Sequence, residues 1–147
     1  MKLICFGKQK STIYHHVIFE YQKRLGKSFT LIELNHKKST KIETIKMEEQ
    51  LLSNYLKKEN INIFLDGRGK EFSSIAFAQK LNELHLQNKP IVFFIGGAFG
   101  FSANFISKAD LILSLGQMTM PHMLARLMLL EQLYRCEMIE KNHPYHK

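Results

Sequence analysis

The stretch that decides the fold is IVFFIGGAFGFS, at residues 91–102. Its first five residues are all apolar, a pattern typical of a strand buried on both faces, as in a parallel sheet covered by helices. Gly96 and Gly97 then end the strand, and residues without side chains let a ligand approach the backbone closely. Ser102 is a suitable N-cap for a short helix. The stretch therefore predicts a buried strand, a glycine turn and the start of a helix.

Strand and helix patterns alternate in both directions from this stretch. Strands are predicted at residues 2–6, 29–34, 61–65, 91–95 and 111–115. Helices are predicted at residues 11–25 with Ser11 as cap, 41–58, 73–87 with Ser73 or Ser74 as cap, from Ser102, and about 122–139. Repeated β-α-β crossovers, without internal repeats or linkers, predict a single α/β domain over residues 1–147, with a mainly parallel sheet flanked by helices.

Length and composition fit this single domain. The chain has 147 residues, of which 45% are hydrophobic and 23% charged, and these are ordinary values for globular proteins. No window approaches the roughly 20 apolar residues of a membrane span. Cys5 and Cys136 lack CxxC spacing, and the histidines lack HxxxH or HExxH spacing. We therefore expect a cytoplasmic protein with reduced core thiols, no membrane segment and no metal site.

The positive charge is concentrated in the first part of the chain. Residues 1–60 hold 12 of the 21 Lys and Arg residues and 6 of the 13 acids, so they contribute +6 of the net charge of +8. This distribution fits a polyanion partner such as nucleic acid. It equally fits a lysine-rich solvated surface, and charge alone does not separate the two interpretations.

Three glycine-bearing loops follow predicted strands, and these are DGRGK (66–70), GGAFG (96–100) and GQMTMP (116–121). In open parallel sheets, ligands bind at the carboxyl ends of the strands, where such loops lie. The glycines of GGAFG do not have GxGxxG or P-loop spacing, so a dinucleotide-dependent oxidoreductase is disfavoured. In the first loop, Asp66 can form an edge of a ligand site and Arg68 and Lys70 can contact phosphate. Each loop can equally be a tight turn that binds nothing, in which case these three residues are solvated charges.

The last predicted helix is apolar almost all round, which indicates burial on more than one side and favours a subunit interface. Its few polar side chains fall into two i,i+4 pairs, His122 with Arg126 and Glu131 with Arg135.

Four segments, FLDGRGK, FFIGGAFGFS, LSLGQMTMPHMLARLMLLEQLYRC and the closing HPYHK, resemble the ribosomal RNA large subunit methyltransferase H family in order and spacing. This family is a single-domain branch of the SPOUT methyltransferases, and the resemblance spans residues 1–147. It implies a C-terminal trefoil knot, a homodimer, and transfer of a methyl group from S-adenosylmethionine to N3 of a pseudouridine in large-subunit (23S) ribosomal RNA. Ala98 and Phe99 depart from the residues that the family often has in the glycine loop.

The resemblance also implies a cofactor site built from the ends of three strands. Its implied residues are Leu65, Gly96, Gly97, Leu115, Gly116, Gln117, Met118, Thr119 and Met120. Backbone groups of the glycine loops would bond the adenine edge and the ribose, and the leucine and methionine side chains would sandwich the adenine ring.

Methylation at N3 requires the loss of a proton, so a base or an anion-stabilising cation is expected. The candidates are His122, Arg126, Arg135, Tyr145 and His146. Our first hypothesis is that Tyr145 and His146 place the substrate and that Arg135 orients them, with the base and the choice between the chain's own and its partner's active site left open. The basic residues 1–60 and the partner subunit would hold the RNA in a salt-dependent manner. The alternative is a non-enzymatic RNA-binding or ribosome-associated module on the same fold.

Overall fold

The sheet has five parallel strands in the computed structural model, which describes residues 1–7, 13–37 and 39–147. The strands are β1 (Lys2–Phe6), β2 (Thr30–Leu34), β3 (Ile61–Lys70), β4 (Ile91–Ile95) and β5 (Leu111–Leu113). Their order across the sheet is β2-β1-β4-β3-β5, and every pairing is parallel. The predicted α/β class with a parallel sheet is confirmed.

The helices are α1 (Ile13–Leu25), α2 (Lys41–Ser53), α3 (Ser74–His85), α4 (Ala103–Ile106) and α5 (His122–Glu140). The predicted serine caps are confirmed for α3 and α4, because the Ser73 side chain accepts from the Ala76 N–H and the Ser102 side chain from the Phe105 N–H. The predicted cap Ser11 lies outside the described residues. A 3₁₀ turn at Gly26–Ser28 follows α1 and was not predicted.

Alternate residues of β4 serve two separate cores. Ile91, Phe93 and Ile95 pack in the core on one face, together with side chains of α1, α3 and α5, and Val92 and Phe94 pack in the core on the other face, where α2 and α4 lie. All five residues are buried. The continuous apolar run at residues 91–95 is thus explained by helices on both faces.

Strand β3 differs from its prediction, which ended it at Leu65. In the structure both Leu65 and Lys70 pair with Leu113 of β5, so the residues between them leave the ladder as a bulge. Gly69 permits this path, because a Cβ there would lie 2.5 Å from the Ile112 carbonyl oxygen. The prediction that DGRGK ends the strand is wrong, because the chain returns to the same ladder at Lys70, and an irregular strand of this kind has no apolar pattern in the sequence.

Helix α5 packs against both α1 and α3 and buries Leu129, Leu130 and Leu133 in the core. Its buried Arg126 donates to the Phe6 carbonyl at 2.9 Å and to the Gly7 carbonyl at 3.1 Å, and it pairs with Glu33. Through Arg126, the N-terminal part of α5 is therefore attached to the carboxyl ends of β1 and β2. The predicted trefoil knot stays a prediction.

The cysteines and the helices can be compared with what the sequence predicts about thiols and membrane spans. Cys5 and Cys136 are free and buried, and burial raises the pKa of each thiol to about 12. Among the described residues, no helix combines the length and the apolar character that crossing a membrane requires.

Candidate cofactor-binding site

A cavity of about 550 Å³ opens at the carboxyl ends of β3, β4 and β5. This volume is within the usual range of small-molecule sites, roughly 300–1,000 Å³. All nine predicted cofactor residues line it: Leu65, Gly96, Gly97, Leu115, Gly116, Gln117, Met118, Thr119 and Met120. The structure therefore gathers the three glycine-bearing loops around one space, and the cofactor role of these residues stays a prediction.

The glycine loop, residues 96–100, is closed from within and held from outside. The Gly100 N–H donates to the Gly97 carbonyl at 3.1 Å, and Gly100 has a φ of +66°, which favours glycine. From outside, the Gly97 N–H donates to Glu48 of α2 at 3.1 Å, and the Ser102 N–H donates to Glu49 at 2.8 Å. The Gly97 N–H is thus already used, so Gly97 would serve a cofactor through its small size and shape.

Sequence reasoning missed Glu48 and Glu49. Both lie inside an ordinary helical stretch, IKMEEQLL, where acidic residues usually face solvent. Only the tertiary placement of α2 against the glycine loop brings their carboxylates to backbone N–H groups. The sequence offers no periodicity signal for this arrangement.

Asp66 lines the cavity and is held by Arg68. Two guanidinium nitrogens of Arg68 lie 2.7 and 2.9 Å from the Asp66 carboxylate, and Arg68 also donates to the Phe101 carbonyl at 3.0 Å. The hydrogen bonds from Arg68 lower the pKa of Asp66, so this carboxyl is ionised at neutral pH. Arg68 was a candidate phosphate contact, but the structure uses it to tie the first loop to the end of the second.

The third loop is shaped by a local turn at Gly116. The Ser114 hydroxyl accepts from the Gly116 N–H at 3.1 Å and donates to its carbonyl at 3.2 Å, and Gly116 has a φ of +123°. Beyond it, the Met118 side chain is 81% exposed at the cavity mouth. An exposed methionine beside half-buried Leu65 and Leu115 gives the cavity apolar walls on which a flat aromatic ring can lie.

The charge of the lining suits a small cation with an apolar body. Within residues 1–7, 13–37 and 39–147, Asp66 is the only carboxylate that lines it, and no Lys or Arg side chain does. Among these lining residues a sulfonium group would meet a carboxylate and no positive side chain, so S-adenosylmethionine fits the charge and the apolar walls of the cavity.

His122, at the start of α5, also lines the cavity. Its Nε2 packs against Gly7, where an added Cβ would lie 3.2 Å away. Burial, followed by the nearby Arg126, lowers the pKa of His122 below its ordinary value of 6.5. The imidazole is therefore neutral at pH 7 and able to accept a proton.

The tail residues Tyr145 and His146 pack against the C-terminal half of α5. The Tyr145 hydroxyl donates to Glu131 at 3.0 Å and lies 3.1 Å from the Tyr21 hydroxyl of α1. The Arg135 guanidinium lies 4.8 Å from the centre of the Tyr145 ring, and its Nη1 is 3.4 Å from Nδ1 of His146. The predicted grouping of Arg135, Tyr145 and His146 is thus present, together with the Glu131–Arg135 ion pair.

This tail cluster does not line the cavity of its own chain. Along α5, Arg135 is roughly 20 Å from His122 at about 1.5 Å per residue. Of the four predicted catalytic residues, the structure brings only His122 to the cavity within one chain. Among the described residues, no group of three or more His, Cys, Asp or Glu side chains could hold a metal ion.

Comparison with known proteins finds a matching family model and relatives that are similar over the full length of the chain. The family model described as "Predicted SPOUT methyltransferase" matches residues 1–146. The ribosomal RNA large subunit methyltransferase H of Gluconacetobacter diazotrophicus is 36% identical over 147 residues, covering 100% of this chain and 97% of that protein. The protein of the same name from Streptococcus uberis is 37% identical over 157 residues, covering 100% of this chain and 99% of that protein.

Among solved structures, the SpoU methyltransferase AviRb from Streptomyces viridochromogenes, in complex with AdoMet, aligns with a TM-score of 0.47 and 10% identity. The alignment covers 94% of this chain and 58% of that one. The assignment of a family rests on the sequence matches. The family model over residues 1–146 and the full-length identity with both relatives show that the chain belongs to the SPOUT methyltransferases, in the ribosomal RNA large subunit methyltransferase H family.

Proposed function

We propose that this protein transfers a methyl group from S-adenosylmethionine to N3 of a pseudouridine in large-subunit ribosomal RNA. The observation that carries the proposal is the cavity at the strand ends, where the nine residues expected from the family lie together with apolar walls and the carboxylate of Asp66. Family membership supplies the class of reaction and of substrate.

Within the cavity, the chain's residues bind, orient and accept a proton. The leucines Leu65 and Leu115 and the methionine Met120 would enclose the adenine ring, and the glycine loops leave room for backbone contacts. When bound, the cofactor supplies an electrophilic methyl group on a sulfonium centre. The chain has to hold N3 of the base in line with that methyl group and remove the N3 proton.

For the proton we propose His122. It lines the cavity, and its lowered pKa leaves the imidazole neutral and ready to accept a proton. Arg126, the other candidate on this turn of α5, is fully buried and occupied by two carbonyls and Glu33. It therefore serves to anchor α5 near the cavity rather than to touch the substrate.

We propose further that the tail acts on the cavity of a partner subunit in a homodimer. Tyr145 and His146 are held on α5 away from their own cavity, so they reach a substrate only if another copy presents its cavity to them. An apolar surface for such a contact exists on α1, where Ile13 is 88% and Val17 is 40% exposed. In this arrangement Arg135 would orient Tyr145 and His146 at the partner's cavity.

The RNA would be held by the basic first part of the chain and by the partner subunit. Residues 1–60 contribute +6 of the net charge, and phosphate contacts of this kind weaken steeply as salt rises. Because the proposed substrate belongs to ribosomes, the same proposal puts the protein in the cytoplasm.

The proposal is tested with the purified full chain by calorimetry with S-adenosylmethionine and by transfer of labelled methyl groups to ribosomal particles. We expect saturable cofactor binding and label in large-subunit RNA, at N3 of a pseudouridine after nuclease digestion. RNA binding without cofactor binding would contradict the proposal and favour the non-enzymatic RNA-binding module.

A further inference from the structure

A buried carboxylate lies directly behind the glycine loop. Glu48 is 2% exposed, and its Oε2 accepts the Gly97 N–H at 3.1 Å. Its Oε1 lies 2.7 Å from Nε2 of His36. Neither Glu48 nor His36 lines the cavity itself, so any influence on a ligand acts through the loop.

His36 is fixed in its turn by two other contacts. Its Nδ1 lies 2.9 Å from the Lys37 carbonyl, and its ring meets the Phe6 ring edge-on with 5.5 Å between centres. The two imidazole nitrogens therefore each face an oxygen, one of the Glu48 carboxylate and one of the Lys37 carbonyl. The carboxylate thus has one side-chain partner, His36, and one backbone partner, the Gly97 N–H, and both are placed by the fold.

Burying a carboxylate costs free energy unless its hydrogen bonds are all made within the protein, because the group loses its hydration when it leaves water. Burial raises the pKa of Glu48, and the Gly97 N–H and His36 oppose that rise. The compensation therefore depends on the glycine loop staying in place. If the loop moves, the carboxylate loses a hydrogen bond that water cannot readily replace.

Gly97 and Glu48 also require each other sterically. A Cβ on Gly97 would lie 2.0 Å from Oε1 of Glu48, far inside van der Waals contact. Gly97 does not have a positive φ, so its backbone conformation is open to an alanine, and the three atoms nearest to the added Cβ all belong to the Glu48 carboxylate. The absence of a side chain at Gly97 is therefore explained by Glu48 on one side of the loop, independently of a ligand on the other.

We propose that Glu48 is a positioning residue for the cofactor loop, with His36 as its partner. The carboxylate holds the Gly97 N–H and thereby keeps residues 96–100 in the shape that receives the cofactor. Neighbouring Glu49 holds the end of the same loop at Ser102. This inference rests on the proposed function, and it predicts that Glu48 governs cofactor binding and leaves the methyl-transfer step almost unchanged.

The first experiment compares Glu48→Ala, Glu48→Gln and Glu43→Gln by calorimetry with S-adenosylmethionine and by steady-state kinetics. Glu43→Gln is the matched control, because it removes one charge from the same helix at an exposed position where Gln still completes the capping box. We expect Glu48→Ala to weaken cofactor binding and raise the cofactor KM by about 10-fold or more, the effect of losing about 1.4 kcal/mol, with kcat changed less than twofold.

Glu48→Gln keeps an acceptor for the Gly97 N–H, so it should recover part of the lost affinity. The control should bind as the wild type does. All measurements are made well below each variant's thermal midpoint of unfolding, so that every variant is folded. If Glu48 only stabilised the fold, its substitution would lower this midpoint and leave the cofactor KM unaltered.

The second experiment uses the steric relation between the two residues. Gly97→Ala alone should weaken cofactor binding, because its Cβ displaces the carboxylate or the loop. In the double variant Glu48→Ala with Gly97→Ala the clash is absent, so binding should be no weaker than in Gly97→Ala alone. Additive losses in the double variant would overturn the proposal.

The outcomes separate this inference from the function on which it rests. A wild-type protein that binds cofactor while Glu48→Ala binds it equally well overturns the inference alone. A lowered thermal midpoint with unchanged affinity and KM does the same. A wild-type protein that binds no S-adenosylmethionine overturns the proposed function and this inference with it.

Discussion

At the scale of single residues, the site depends on side chains whose chemistry is set by what surrounds them. His122 is kept neutral by burial and by Arg126, Asp66 is kept ionised by Arg68, and Glu48 is buried against a backbone N–H. The sequence marked His122 and Asp66 as candidates because they follow strands or begin a helix. It could not mark Glu48, because burial of a helical carboxylate depends on which element packs over it.

The proposed role of His122 predicts a pH dependence. A base works in its neutral form, and the pKa of His122 is lowered from 6.5, so kcat should be constant around pH 7 and fall only as the pH drops below 6.5. His122→Asn should reduce kcat by about 100-fold or more and abolish this acidic limb. The measurement is the single-turnover rate as a function of pH. If the fall in rate at acidic pH is the same in the variant as in the wild type, another group accepts the proton.

Arg126 gives a prediction on stability. It is fully buried, and removing it leaves two backbone carbonyls and Glu33 without that donor. Breaking a buried pair from one side typically costs about 3–5 kcal/mol, so Arg126→Ala should lower the free energy of unfolding by about 3 kcal/mol in urea titrations. Arg24→Ala, at an exposed residue of α1, is the control. A loss below about 1 kcal/mol for Arg126→Ala would mean that the anchor is unimportant.

At the scale of elements, local patterns predicted most of the fold. The bounds of β1 and β4 are as predicted, and α5 extends one residue beyond its predicted end. The errors lie at the ends of elements. Helix α2 ends at Ser53 rather than residue 58, where local turns follow it, β5 ends at Leu113 rather than residue 115, and β3 rejoins the ladder at Lys70. The trefoil knot that the family implies stays a prediction, and strand and helix patterns alone would not indicate it, since chain threading runs against ordinary topology rules.

The bulge in β3 predicts a contrast between two neighbouring glycines. A Cβ on Gly69 would lie 2.5 Å from the Ile112 carbonyl oxygen, while a Cβ on Gly67 has nothing within 4 Å. Gly69→Ala should therefore destabilise the protein by about 2 kcal/mol, in the range of overpacking. Gly67→Ala, which lacks a positive φ, should be neutral or slightly stabilising. Equal unfolding midpoints in urea for the two variants would contradict this account of the bulge.

At the scale of the whole molecule, the separation of cavity and tail along α5 is the main structural result. The cavity lies at the start of the helix and the tail cluster toward its end. The sequence pointed to both ends of α5 through MPH and YHK, but it could not tell whether they meet in one chain. The structure keeps them apart within a chain, which is why we propose a site shared between two subunits.

This proposal predicts complementation between two inactive variants. Leu115→Arg places a cation in the cavity and should abolish cofactor binding, and deletion of Tyr145, His146 and Lys147 should abolish methylation while leaving the fold and most cofactor binding intact. Mixed dimers, formed by co-expression with two different tags, should regain activity, because one cavity then meets one intact tail. Mixed dimers without activity would mean that each tail serves its own cavity.

The most direct test of the central claim is mass spectrometry of large-subunit ribosomal RNA from a strain that lacks this protein. We predict that one N3-methylated pseudouridine is replaced by an unmethylated pseudouridine, and that the wild-type chain restores the methyl group while Leu115→Arg does not. An unchanged pattern of pseudouridine methylation in the deletion strain would contradict the account.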